Sequence, residues 1–178
     1  MKQLTLITAL LIVSSQIIAQ DKSPMSVKQF YTEMGGPGIL FSANFDTRFN
    51  PEKHIGFGMR VGIGFTIKDE GSYDPNGNYQ DGILTVPTLP IGFNYLFGKE
   101  TSPHTFEVGA GTTFLFQKVQ MLNYESHQKE GNFMGFFSFM YRRQPINGGF
   151  TWRIGFTPLI NTAGDIVPFA AGGIGYSF

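Results

Sequence analysis

Large apolar residues alternate with small or polar ones along most of this chain, with the period of two that belongs to a strand with unlike faces. The pattern is clearest where Ile55, Phe57, Met59, Val61, Ile63, Phe65 and Ile67 interleave with His54, Gly56, Gly58, Arg60, Gly62, Gly64 and Thr66. No helix can place those two sets on opposite faces. A second run sets Ile39, Phe41, Ala43, Phe45 and Phe49 against Leu40, Ser42, Asn44, Asp46 and Arg48. Further apolar rows follow at Ile83 to Phe97, Phe106 to Phe116, Phe133 to Tyr141, Phe150 to Phe156 and Ile166 to Phe178. Pro87 and Pro90 weaken the first of these, and Met134, Phe136 and Met140 blur the polar face of the third. A first strand over Phe30 to Met34, with Glu33 on its polar face, ends at Gly35-Gly36-Pro37-Gly38 and brings the count to eight. The competing reading of that stretch is one bent strand from Phe30 to Phe49.

The connections alternate in length. Asn50 to Lys53, Gly98 to Pro103 and Gln144 to Asn147 are short, whereas Lys68 to Gly82 and Met121 to Asn132 are long and polar. Short turns on one side and longer loops on the other suit an antiparallel barrel that crosses a membrane. The large residues should then face outward. A soluble barrel would have to present the other row to water, and that row is mostly Gly, Ser, Thr and Asn with few Lys or Glu. An eight-stranded barrel has an interior just wide enough for side chains, which the glycine-rich row fits. The charges on that row are Glu33, Asp46 and Glu107 against Arg48, Arg60 and Arg153, a balanced set expected to pair structurally inside the lumen. The fold class expected is therefore all-β, an eight-stranded antiparallel transmembrane β-barrel over residues 29–178.

Composition agrees and removes several alternatives. The chain of 178 residues holds 23 Gly and 19 Phe, with only 15% charged residues, and its mean hydropathy is −0.04. A helical membrane protein would be far more hydropathic, while a barrel hides its apolar residues by alternation. Thirteen basic and 13 acidic residues cancel, leaving no electrostatic footprint for nucleic acid. The absence of Cys excludes disulfides, thiol nucleophiles and attachment of a lipid at a cysteine. At the N-terminus, Lys2 precedes an apolar run from Leu4 to Val13 that is too short to span a bilayer, followed by Ala19-Gln20. Residues 1–19 are expected to be a signal peptide and 20–28 a flexible leader.

The final segment, Gly172-Gly173-Ile174-Gly175-Tyr176-Ser177-Phe178, resembles the signal read by barrel-assembly machinery, carried by Ile174, Tyr176 and Phe178. Tyr31 to Gly38, followed by Phe41 to Phe49, resembles the opening of outer-membrane β-barrel domains of diderm bacteria. Taken with the alternating strands, the chain resembles the OmpX/OmpA-type small outer-membrane β-barrel family over nearly all its mature length. The resemblance implies an outer-membrane location, lipid and assembly machinery as partners, and a monomer. It identifies architecture rather than activity.

Candidate chemistry is sparse. His54 and His104 fall at the starts of strands on the short-turn side and His127 in a long loop, so a shared metal is not expected. Glu125-Ser126-His127 offers a nucleophile and a base, but adjacent loop residues seldom meet in triad geometry. Asp74 to Asp81 has oxygen ligands at alternate positions, yet Tyr79 stands where a calcium loop needs Gly and Thr85 where it needs Glu. No catalytic, cofactor or metal residue is assigned. The expectation is a non-enzymatic structural or surface-interaction protein whose external loops meet a partner of unknown identity. The alternatives are a lipid-modifying outer-membrane enzyme and a narrow channel.

Overall fold

The alternating rows become strands because each offers one face to a crowded interior and the other to an apolar exterior. In the computed structural model, residues 25–69, 71–73, 76–119, 131–162 and 164–178 are described. Eight strands make the wall: β1 (Lys28–Gly35), β2 (Phe41–Arg48), β3 (Gly56–Asp69), β4 (Ile83–Gly98), β5 (His104–Val119), β6 (Gly131–Arg143), β7 (Gly149–Phe156) and β8 (Ala170–Ser177). Each pairs antiparallel with the next, and β8 returns to β1 from Gln29–Ser177 to Gly35–Ala171, closing the barrel. No described helix is long and apolar enough to cross a membrane, so any crossing belongs to the strands.

Residues 30–49 are two strands rather than one bent strand, in register from Lys28–Thr47 to Met34–Phe41. Pro90 lies inside β4, where it lacks the N–H that a ladder needs. The β3–β4 pairing accordingly runs to Val61–Ile91 and resumes at Gly64–Thr88. Beyond β7, Pro158 interrupts the strand, and Leu159–Ile160 continues beside β6 and pairs with Ile166–Val167. At the long-loop end the β4–β5 ladder stops at Thr88–Leu115. The β3–β4 hairpin runs on to Asp69–Ile83 and β5–β6 to Val119–Gly131, so both project beyond the closed wall.

The rows face as the alternation requires. Ser42, Asn44, Asp46 and Arg48 are buried in the lumen, while Phe57 is 65% and Ile63 70% exposed on the outside. The outward positions of β3 from Phe57 to Ile67 cover about 25 Å along the axis at ordinary barrel rise and tilt, the height of a membrane apolar band. Phe30, Phe93, Phe116, Phe137, Ile154 and Ile174 extend the same exposed surface around the wall. So continuous an apolar face is foreign to soluble monomers.

Three expectations need correction. Ile39 does not join the outward row: it is 3% exposed and sits inside the barrel, whereas Leu40 is turned out. The cause is the connection from β1 to β2, where Gly35 and Gly36 have φ 71° and Ile39 has φ 75°, ψ −85°. Glycine adopts such angles freely, but a β-branched residue does so under strain. This short turn folds into the mouth rather than standing above it. Thr113 Oγ1 donates to the Pro37 carbonyl at 2.6 Å and Thr88 Oγ1 to that of Gly38 at 3.1 Å, tying the turn to the opposite wall.

The second correction concerns the lumen, which is not polar throughout. Ile39, Val86, Leu115, Met134, Phe136, Leu159 and Val167 form a buried apolar cluster at the long-loop end. Met134 and Phe136 are inward residues of this layer, not flaws in a polar face. At the other end the expected leader overlaps the wall: Ser26 and Val27 are buried, Lys28 opens β1, and Ser26 N donates to the Ile146 carbonyl at 2.7 Å. The signal-peptide segment lies outside the described residues.

The outward row predicts a depth-dependent cost of charge. In phospholipid vesicles, Val61→Arg should lower folding stability by about 2–4 kcal/mol and Ile67→Arg, nearer the rim, by only about 0–1 kcal/mol. Denaturant titration of the reconstituted variants measures both; equal costs would reject the assigned depths.

Candidate functional site

Below the apolar layer, the inward positions of six strands bring seven ionised side chains into one connected network. At its centre is Glu107 of β5, fully buried. Its Oε2 lies 2.8 Å from Arg142 Nη2, and its Oε1 lies 2.7 Å from Arg153 Nη2 and 3.7 Å from Arg60 Nη1. Ser138 Oγ donates to Oε1 at 3.4 Å from the next strand. Arg142 reaches in the other direction to Asp46, Nη2 to Oδ2 at 3.3 Å, and Asp46 Oδ1 pairs with Arg48 Nη2 at 2.5 Å. Asn94 braces this end, donating to Asp46 Oδ2 at 2.5 Å and accepting from Arg48. Arg153 Nε approaches Glu33 Oε1 at 3.1 Å and ends the chain. Opposite charges thus alternate from Arg48 through Asp46, Arg142, Glu107 and Arg153 to Glu33, with Arg60 as a branch.

All six residues expected on the lumen face are buried there, and Arg142 joins them. The expected balance of three acids and three bases is therefore corrected to three carboxylates and four guanidinium groups. The additional cation is met partly by aromatic faces. Arg60 lies 4.8 Å from the Phe136 ring centroid, at the boundary with the apolar layer, and Arg153 lies 4.5 Å from that of Tyr31. The Tyr31 hydroxyl also accepts from Arg60 Nη1 at 3.5 Å.

Arg142 escaped sequence reasoning because its row reads Met134, Phe136, Ser138, Met140, Arg142, which is more apolar than polar. The usable signal was the pair Arg142-Arg143, since adjacent strand residues face opposite ways and one must point inward. Arg142 Nη1 also donates to Gln144 Oε1 at 3.3 Å, and Gln144 Nε2 to the Ser26 carbonyl at 2.9 Å, joining the network to the short-turn floor.

The remaining candidates stay apart. His54 is buried in that floor with Nε2 3.1 Å from the Ser102 carbonyl oxygen. His104 is exposed on the outer wall, its Nδ1 2.6 Å from the Tyr141 hydroxyl. Glu125, Ser126 and His127 lie outside the described residues, as do Asp74 and Pro75 of the calcium-like loop. Among the described residues no group of His, Cys, Asp or Glu is arranged to hold a metal. Ile174 and Tyr176 on the last strand and Phe178 just past its end are exposed on the outside. Chemically, the network can lock strands together and close a lumen; the Ser138 hydroxyl that it sets beside the Glu107 carboxylate is fully buried.

No protein-family model and no curated protein matches the sequence. Among solved structures, the chain is similar to the N-terminal β-barrel domain of Pseudomonas aeruginosa OprF, with a TM-score of 0.52 and 10% identity over 87% of this chain and 98% of that one. It is also similar to the Yersinia pestis outer membrane protein Ail, at TM-score 0.47 and 13% identity over 86% and 99% of the two chains. The first likeness establishes the small outer-membrane barrel fold.

Three substitutions separate the ionic layer, the surface and the apolar layer by their cost. Glu107→Gln leaves Arg60, Arg142 and Arg153 short of a carboxylate and should cost about 3–5 kcal/mol of folding stability. Glu100→Gln, which breaks the exposed pair with Lys53 at 3.5 Å, should cost about 0–1 kcal/mol. Phe136→Ala should cost about 3–5 kcal/mol through the cavity it leaves. Urea unfolding in lipid vesicles reads all three, and a Glu107→Gln cost no larger than that of Glu100→Gln would remove the hub assignment.

Proposed function

We propose that this protein is a non-conducting, non-enzymatic outer-membrane barrel that acts through what it presents at the cell surface. The observation that carries the reading is the filled lumen inside an apolar outer wall: an ionic layer under the apolar cluster around Phe136. An eight-stranded wall leaves little interior beyond its side chains, and here both layers occupy it. The short-turn end then faces the periplasm and the long-loop end the outside, as in barrels of this architecture. The β3–β4 and β5–β6 hairpins stand above the last shared rung, Thr88–Leu115, and offer backbone edges to an external partner. The outward Ile174, Tyr176 and Phe178 are the residues that assembly machinery would read.

The test has two parts. The mature protein should fractionate with outer membranes and migrate differently on gels when unheated in detergent. Purified protein in planar bilayers should show no porin-like passage of sugars or amino acids. A folded soluble pool would reject the membrane location, and solute flux at porin rates would reject the closed lumen.

A further inference from the structure

We propose that the outer wall at the periplasmic end carries a binding site for the phosphate of a phospholipid headgroup, centred on Arg143 with His104 and Trp152. The inference rests on the membrane reading above. His104 of β5 is in register with Arg143 of β6, and Arg143 with Trp152 of β7, so the three form one row across adjacent strands. Their neighbours Thr105, Arg142, Thr151 and Arg153 are buried in the lumen, which turns the row outward. Two residues further along each strand stand Phe106, Tyr141 and Ile154, paired in register and exposed at 46%, 40% and 60%. The row therefore lies where the apolar band gives way to headgroups.

The side chains are ordered for this task. Arg143 Nη1 donates to the Phe150 carbonyl at 3.3 Å, which holds the guanidinium against the wall while its other donors remain available to an anion. The Tyr141 hydroxyl fixes the His104 ring at Nδ1, 2.6 Å away, and the two rings stack at 5.9 Å. Tyr141 and Trp152 rings meet at 5.4 Å on the other side. No carboxylate competes for the cation on this surface. The outward positions of β5 from His104 to Phe116, of β6 from Phe133 to Arg143 and of β7 contain neither Asp nor Glu. Glu100, in the adjacent turn, pairs with Lys53 at 3.5 Å.

A phosphodiester satisfies the row, and the occupant is a lipid because exposed Phe106 and Ile154 continue directly from it and can take the acyl chains. Lys28, an outward base on β1, provides the contrast. Its cross-strand neighbours are Thr47 on one side and Phe178 on the other, so an aromatic stands beside it but no second base.

The protein is placed in nanodiscs of phosphatidylethanolamine and phosphatidylglycerol, released into mild detergent, and its retained lipids are counted by native mass spectrometry. Wild type should keep phospholipid, Arg143→Gln should lower retention about tenfold, as expected for loss of a charge-assisted contact, and Arg143→Lys should restore most of it. Lys28→Gln should leave retention unchanged. Equal retention by wild type and Arg143→Gln, both folded by heat-shift on gels, overturns the site and leaves the membrane reading standing. An equal loss in Lys28→Gln also overturns it, because binding would then be general surface charge. Failure of the wild type to enter the discs removes both readings together.

Discussion

Seven charges enclosed by a wall that faces hydrocarbon can exist only as a mutually paired set, and the contacts of Glu107 are what make them one. An isolated guanidinium or carboxylate in such an interior would cost several kcal/mol in lost hydration even after relaxation. Glu107 serves Arg60, Arg142 and Arg153, which come from β3, β6 and β7. Asp46, paired with Arg48 on its own strand, adds β2 through Arg142, and Glu33 adds β1 through Arg153. Backbone ladders join only neighbouring strands, whereas the pairs of Glu107 with Arg60 and Arg153, of Asp46 with Arg142 and of Glu33 with Arg153 tie strands that share no rung. The network is thus the cross-bracing of a cylinder whose hydrogen bonds otherwise run around its circumference.

The apolar cluster above it answers a different demand. A purely ionic filling would leave charged groups in contact with water at the mouth, where screening and hydration weaken each pair. The turn through Gly36, Pro37 and Gly38 excludes that water by lying across the mouth. Ile39 is held in a left-handed conformation costing on the order of 1–3 kcal/mol, offset by its burial against Val86, Leu115 and Phe136. Arg60, stacked on Phe136, belongs to both layers. Strain in the turn, burial of the cluster and strength of the ion pairs are therefore one coupled arrangement.

How much of this was legible follows from where the period of two is intact. In β3, Gly58, Arg60, Gly62 and Thr66 against Phe57, Met59, Val61 and Phe65 fix both the strand and its faces. The same holds for Glu107 on β5 and Arg153 on β7, so most of the network can be located without coordinates. Two features broke the legibility. Inward Met134, Phe136 and Met140 obscured β6 and hid Arg142, because an apolar layer inside the lumen imitates a lipid-facing row. Ile39 was misassigned because parity does not carry through a turn whose φ changes sign. Which carboxylate meets which arginine was never readable, since strand tilt and stagger, not sequence spacing, set the levels across the lumen.

The outer wall alone cannot set this arrangement, since hydrocarbon accepts Phe, Ile, Met or Val at almost any outward position. A slip of one residue exchanges every side chain between faces. For β3 it would bring Met59 and Val61 into a lumen whose glycines leave no such volume and put Arg60 into hydrocarbon. The glycines are as decisive as the charges. A side chain at Gly62 would strike the Asn44 amide, and one at Gly111 the Phe136 ring, at positions where β-carbon contacts essentially never occur. The interior therefore excludes the wrong register both sterically and electrostatically, while the exterior merely tolerates the right one. Specificity in this barrel resides in the lumen, which leaves the outer wall and the projecting hairpins free to diverge in sequence and to carry whatever recognition the protein performs.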